Sequence, residues 1–133
     1  MKAAFADTFF FVAAVNPRDE HHARVIRFSA QFNRPILTTE WILLEVANAL
    51  AGSASREGFV ELDRALRQDP RVRIVPLSSE LQARGVALYA HRRDKAWSLT
   101  DCISFLVMAD GELSDAISGD HHFEQAGFTA LLK

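Results

Sequence analysis

The chain predicts an α/β fold, a three-layer α/β/α arrangement with a central parallel sheet of four to five short strands and helices on both faces. Two observations carry this. Apolar runs of strand length alternate with longer stretches of helical spacing, and strands separated by helices pair in parallel through crossovers. The breaks between them fall at Asn16-Pro17, Gly52, Asp69-Pro70 and Gly111, which are residues that interrupt regular structure.

Ala3 to Ala6 reads as a buried strand, and Asp7-Thr8 stops it and starts a helix through Phe9, Phe10, Phe11 and Val12 that Asn16-Pro17 ends. Asp19 to Phe32 is amphipathic, with Ala23, Val25, Ile26, Phe28, Ala30 and Phe32 at helical spacing. Arg34 to Thr38 is the second strand. Thr38-Thr39-Glu40 opens a helix to about Ala51, which Gly52 stops. Ser53 to Arg56 is a loop, Glu57 to Gln68 a helix, and Val72 to Leu77 the third strand. Ser78-Ser79-Glu80 opens a helix to about Arg92, and Ser98 to Ala109 is a strongly apolar helix. Asp115 to Ser118 is the fourth strand, His121 to Gln125 a short helix, Gly127 a turn, and Phe128 to Leu132 the last strand. The aromatic cluster Phe9-Phe10-Phe11 and Trp41 belong by default to the core, with a partner groove as the alternative.

At 133 residues the chain is expected to form one domain over 1–133 and to bury about two-thirds of its unfolded surface. An apolar share of 49% and a charged share of 24% exclude disorder. The single cysteine, Cys102, allows no intrachain disulfide. No stretch approaches the roughly 18 uncharged apolar residues of a membrane span, and no secretory leader is evident, so the expected location is cytoplasmic. Net charge is −2, with 15 Lys and Arg against 17 Asp and Glu, which is not the bulk signature of a nucleic-acid binder. Arg18, Arg24, Arg27, Arg92, Arg93 and Lys95 can still line a phosphate path around a local acidic cleft.

Four acids stand where apolar elements end or are buried: Asp7, Glu45, Asp101 and Asp120. In an open parallel sheet, ligands bind beyond the carboxyl ends of the strands. Asp7 and Asp120 fall at two such ends, while Glu45 lies about two turns into its helix and Asp101 in the first turn of another. Helix capping is the simpler explanation for three of them. Asp7 and Asp120 precede helices, and Ser98-Leu99-Thr100-Asp101 has the form of a capping box. Glu45 has no capping role in mid-helix. Asn48, three residues on, shares its face, and Thr8 and Thr100 adjoin their aspartates.

Two carboxylates ~4 Å apart repel by about 4 kcal/mol at an effective dielectric near 20, so four that converge call for a cation. An all-oxygen donor set suits a hard ion, Mg²⁺ or Mn²⁺.

The runs Asp7-Thr8, Glu45 with Asn48, Trp97-Ser98-Leu99-Thr100-Asp101-Cys102-Ile103-Ser104-Phe105 and Ser118-Gly119-Asp120-His121-His122-Phe123-Glu124-Gln125-Ala126-Gly127-Phe128 resemble the PIN-domain nucleases, above all the VapC-like toxins of toxin–antitoxin pairs. The resemblance covers nearly the whole chain. It implies a PIN-like fold and a Mg²⁺- or Mn²⁺-dependent endoribonuclease, with Asp7, Glu45, Asp101 and Asp120 holding the metal and an activated water attacking RNA phosphodiesters. It further implies a VapB-type antitoxin as partner and a homodimer. One departure is Ser118-Gly119, where such proteins often carry Thr and a bulkier residue. Ser118 remains a secondary candidate beside Thr8, Asn48 and Thr100. Asp94 and His122 are secondary candidates too, against plainer roles as a surface ion pair and a turn or packing residue.

Three rivals are weighed against this reading. A thiol hydrolase would use Cys102 with His121 or His122, a receiver domain would need a second acid beside Asp7, and a catalytically inactive PIN-like module would serve only interaction.

Overall fold

The computed structural model describes Met1–Lys133, in the element order β1 (Ala4–Ala6), α1 (Thr8–Val15), α2 (His22–Gln31), β2 (Ile36–Thr39), α3 (Glu40–Leu50), α4 (Arg56–Gln68), β3 (Val72–Val75), α5 (Ser79–His91), α6 (Leu99–Asp110), β4 (Asp115–Ile117), α7 (His121–Gln125) and β5 (Thr129–Ala130). The five strands make one parallel sheet in the order β3-β2-β1-β4-β5. The expected architecture is present with its upper strand number.

Chain direction explains the layers. From β1 the chain steps outward to β2 and β3, then returns past β1 to β4 and β5. With right-handed crossovers, that reversal puts α1–α4 on one face and α5–α6 on the other. Helices α1 to α4 accordingly pack among themselves, and α5 packs on α6. No helix is long and apolar enough to cross a membrane.

The core runs through the central strands, with Phe5, Phe11, Ile42, Ile103, Met108, Ile117 and Phe123 almost wholly inaccessible. Phe105 joins Trp97 and Phe123 in edge-on contacts at 4.9 and 5.1 Å. Phe10 and Phe11 are core residues, so the partner-groove alternative fails for them, while Phe9 is partly buried. Trp41 is half-buried, donates its indole N–H to Gln82, and adjoins the exposed Leu44 and Leu77.

Element ends differ from expectation where local hydrogen bonds intervene. α2 begins at His22 rather than Asp19, because the Asp19 carboxylate accepts the His21 amide in a turn. β3 stops at Val75, since Pro76 has no N–H for a ladder. β5 shrinks to Thr129–Ala130.

Candidate active site

The sheet has its topological switch at β1, between β2 and β4, and the acidic residues gather beyond the carboxyl ends of these strands. Asp7 follows β1 directly and Ser118-Gly119-Asp120 follows β4. Ser118, wholly buried, donates its hydroxyl to Asp7 Oδ2 at 2.8 Å and accepts the Asp120 amide at 3.0 Å. One hydroxyl therefore ties the two strand ends together. Although Asp7 occupies the N-cap position of α1, its carboxylate makes no capping hydrogen bond to the amides of Phe9 or Phe10. The capping explanation does not account for it.

Glu45 is half-buried on α3, and the Thr8 hydroxyl donates to its Oε1. Because α1 packs on α3, this contact brings the Glu45 carboxylate to the first turn of α1, whose first residue follows Asp7 in the chain.

Asp101 and Asp120 each do two things. Asp101 closes a capping box with Ser98, its Oδ2 accepting the Ser98 amide at 3.0 Å, and Asp120 caps α7 by accepting the His122 amide at 2.9 Å. The capping explanation is right for both, yet it leaves other lone pairs of each carboxylate unused. His122 then joins them, with Nδ1 2.9 Å from Asp101 Oδ2 and 3.5 Å from Asp120 Oδ1.

Asp7 is electrostatically perturbed. Burial raises its pKa from 3.8 to about 7, the charges of Asp101 and Asp120 push the same way, and hydrogen bonds from Ser118 and the Thr8 amide only partly oppose them. No lysine or arginine pairs with any of the four acids, whereas Asp63, Asp69, Asp94, Asp110 and Asp115 each have an arginine. The expected convergence is looser than one tight cluster: no three of the four carboxylates lie within 4.8 Å of one another. The trio of ligating groups that does is Asp120, His121 and His122.

Other candidates stand outside. Asp94 pairs with Arg92 through two hydrogen bonds, 3.0 and 3.1 Å, which hold its carboxyl down to about 2, and it contacts none of the acids. Asn48 is exposed on α3 and makes no side-chain hydrogen bond, since its turn has rotated toward solvent beside Leu44. The Thr100 hydroxyl bonds no carboxylate, because Ser98 takes the capping role. Cys102 is wholly buried and its thiol is pushed up by burial and by Asp101, the opposite of an activated nucleophile, which removes the thiol-hydrolase rival. His121 was no part of the expected metal set. Its signal in the sequence was the doublet of imidazoles directly after an acid at a strand end.

The chain is 26% identical over 127 residues, 96% of both chains, to the 23S rRNA-specific endonuclease VapC20 of Mycobacterium tuberculosis. The crystal structure of that protein, described as a Sarcin-Ricin loop cleaving toxin, superposes with a TM-score of 0.87 at 24% identity, covering 97% of this chain and 98% of that one. FitAcB from Neisseria gonorrhoeae superposes at 0.66 and 17% identity over 96% and 95% of the two chains. The family model for the PIN domain matches residues 4–129, a span that runs from β1 into the start of β5 and takes in all four acids, and the chain belongs to the PIN-domain family.

Proposed function

We propose that this chain, as a single domain over 1–133, is a VapC-like endoribonuclease that hydrolyses RNA phosphodiesters with a divalent metal held by Asp7, Glu45, Asp101 and Asp120. The observation that carries the reading is the Asp7 carboxylate: buried, bonded only to neutral donors, under the charges of Asp101 and Asp120, and without a basic partner. Such a group fits a divalent cation better than it fits any structural role. Oxygen donors with adjacent hydroxyls suit Mg²⁺ or Mn²⁺.

When bound, such an ion supplies Lewis acidity, offsetting charge on a phosphoryl oxygen and acidifying a water. The chain's own residues supply position. Ser118 holds Asp7 in one orientation, Thr8 holds Glu45, and the Ser98 capping box together with His122 holds Asp101. Asp7, at the start of α1, makes no capping hydrogen bond to the amides of Phe9 or Phe10, so these helix-start amides favour a phosphate there.

RNA as the substrate rests on VapC20, whose name states a 23S rRNA target; a sarcin-ricin hairpin is accordingly the first substrate to try. A VapB-type antitoxin, a homodimer and a cytoplasmic location belong to the same proposal. Surface supporting a protein partner exists at Leu44, Leu77, Val86 and Tyr89, each about half exposed.

The test is cleavage of labelled hairpin and single-stranded RNA by purified protein, with Mg²⁺ or Mn²⁺, with chelator, and with Asp7→Asn and Asp101→Asn. Metal-dependent cleavage lost in both variants supports the reading. Cleavage that survives Asp7→Asn removes the metal assignment, and a folded, metal-binding protein that cuts no RNA favours an interaction module.

A further inference from the structure

We infer that Asp120, His121 and His122 form a binding site for a transition-metal ion of the Zn²⁺ or Co²⁺ class, which prefers nitrogen donors and which Mg²⁺ does not displace. The site lies at the rim of the carboxylate pocket. It rests on the nuclease reading only in sharing Asp120 with the oxygen-donor set.

One ligand atom from each of these three residues lies within 4.8 Å of the other two, with Nδ1 of His121 and of His122 at 3.6 and 3.5 Å from Asp120 Oδ1, while Asp120 Oδ2 accepts no hydrogen bond. They sit at the cap and in the first turn of α7, where consecutive residues would normally point apart, yet the two imidazole rings are 4.5 Å apart at 54°. The tautomer of His122 follows from its partner. A carboxylate oxygen accepts, so Nδ1, 2.9 Å from Asp101 Oδ2, carries the hydrogen and Nε2 keeps its lone pair. That is the arrangement of metal-binding histidines generally, in which a carboxylate takes the far N–H and fixes the ring. Asp101 is in turn immobilised by Ser98, so the orientation is built in two layers.

His121 makes no hydrogen bond of its own. Its Nδ1 stands 3.6 Å from Asp120 Oδ1, too far to bond, and its side chain is 60% exposed, which leaves the ring able to turn toward an ion. Solvent reaches the same edge, so entry needs no opening of the fold. Two imidazoles and one carboxylate are the donors of a Zn²⁺-type site, while Mg²⁺ holds to oxygen in near-octahedral geometry. Because Asp120 faces both donor sets, occupancy of one changes affinity at the other, reciprocally.

The test is titration of the full chain with Co²⁺ alone and in excess Mg²⁺, read by visible absorption and by calorimetry. The expected result is a Co²⁺ complex that persists in Mg²⁺ and whose affinity falls about tenfold or more in His121→Gln, and about 10–100-fold in Asp101→Asn as the orienting carboxylate is lost. His91→Gln, on an exposed histidine of α5, leaves the affinity unchanged. Co²⁺ binding that Mg²⁺ abolishes, that His121→Gln leaves intact, or that His91→Gln weakens equally overturns the inference. Cleavage of RNA by the unmodified chain in Mg²⁺ alone reports separately on the nuclease reading.

Discussion

The edge of the Phe9 ring lies against the backbone of Gly119, so closely that a Cβ on Gly119 would stand 2.6 Å from Phe9 Cζ. Phe9 also packs on His21, with ring centroids 4.8 Å apart, so its freedom to withdraw is limited. The small residue before Asp120 is therefore matched to a large one at the start of α1. Gly119→Ala is expected to cost about 1–3 kcal/mol in urea denaturation and to lower cleavage by displacing Asp120. Adding Phe9→Leu restores part of both. Wild-type stability in the single variant would show that the ring moves aside without penalty.

Thr8 and Glu45 offer a test of orientation. Thr8→Val keeps the shape of the side chain but leaves Glu45 without its donor, and is expected to reduce kcat about tenfold or more with little change in melting temperature. Thr8→Ser retains the hydroxyl and retains the activity. Equal losses in both variants would assign the effect to packing.

The raised pKa of Asp7 sets a pH dependence. Its folded value of about 7 lies above the ordinary 3.8, so folding favours the protonated form. The stabilisation is complete below about pH 4 and is lost as pH rises through 7, by an amount on the order of 4 kcal/mol. The metal-free chain should thus lose stability relative to Asp7→Asn between these limits, and saturating Mn²⁺ should close the gap. Parallel stability curves for the two proteins would contradict the buried-carboxylate account.

Away from the site, α5 packs on α6 at Gly85, where a Cβ would run into Ile103 Cγ1. Gly85→Ala is expected to lower stability by about 1–3 kcal/mol, read by thermal melting, and Ile103→Val to recover part of it. Cleavage per folded molecule should not change.

The alternation of strand and helix could be read from the chain because apolar period and breakers agree along it; the ends of α2 and β3 could not, since a carboxylate on a neighbouring amide and a missing N–H decide them. The same division holds at the site. Asp7, Glu45, Asp101 and Asp120 declare themselves as acids in apolar surroundings. Thr8 and Thr100 look alike in sequence, each beside an aspartate, yet only Thr8 meets a carboxylate, and that contact spans 37 residues. Helix capping and site membership are not alternatives for Asp101 and Asp120, since a carboxylate with four lone-pair positions has room for both.

The hydroxyl of Ser118 reaches Asp7 across 111 residues of chain. Neither half of that contact has meaning until the other has been synthesised and β4 has docked beside β1. An emerging polypeptide carries Asp7, Glu45 and Asp101 before it carries Ser118 and Asp120, so the four acids cannot all be in place until the last part of the chain has been made. A protein that cuts RNA would thereby stay harmless to the template and ribosome producing it until its translation is almost complete.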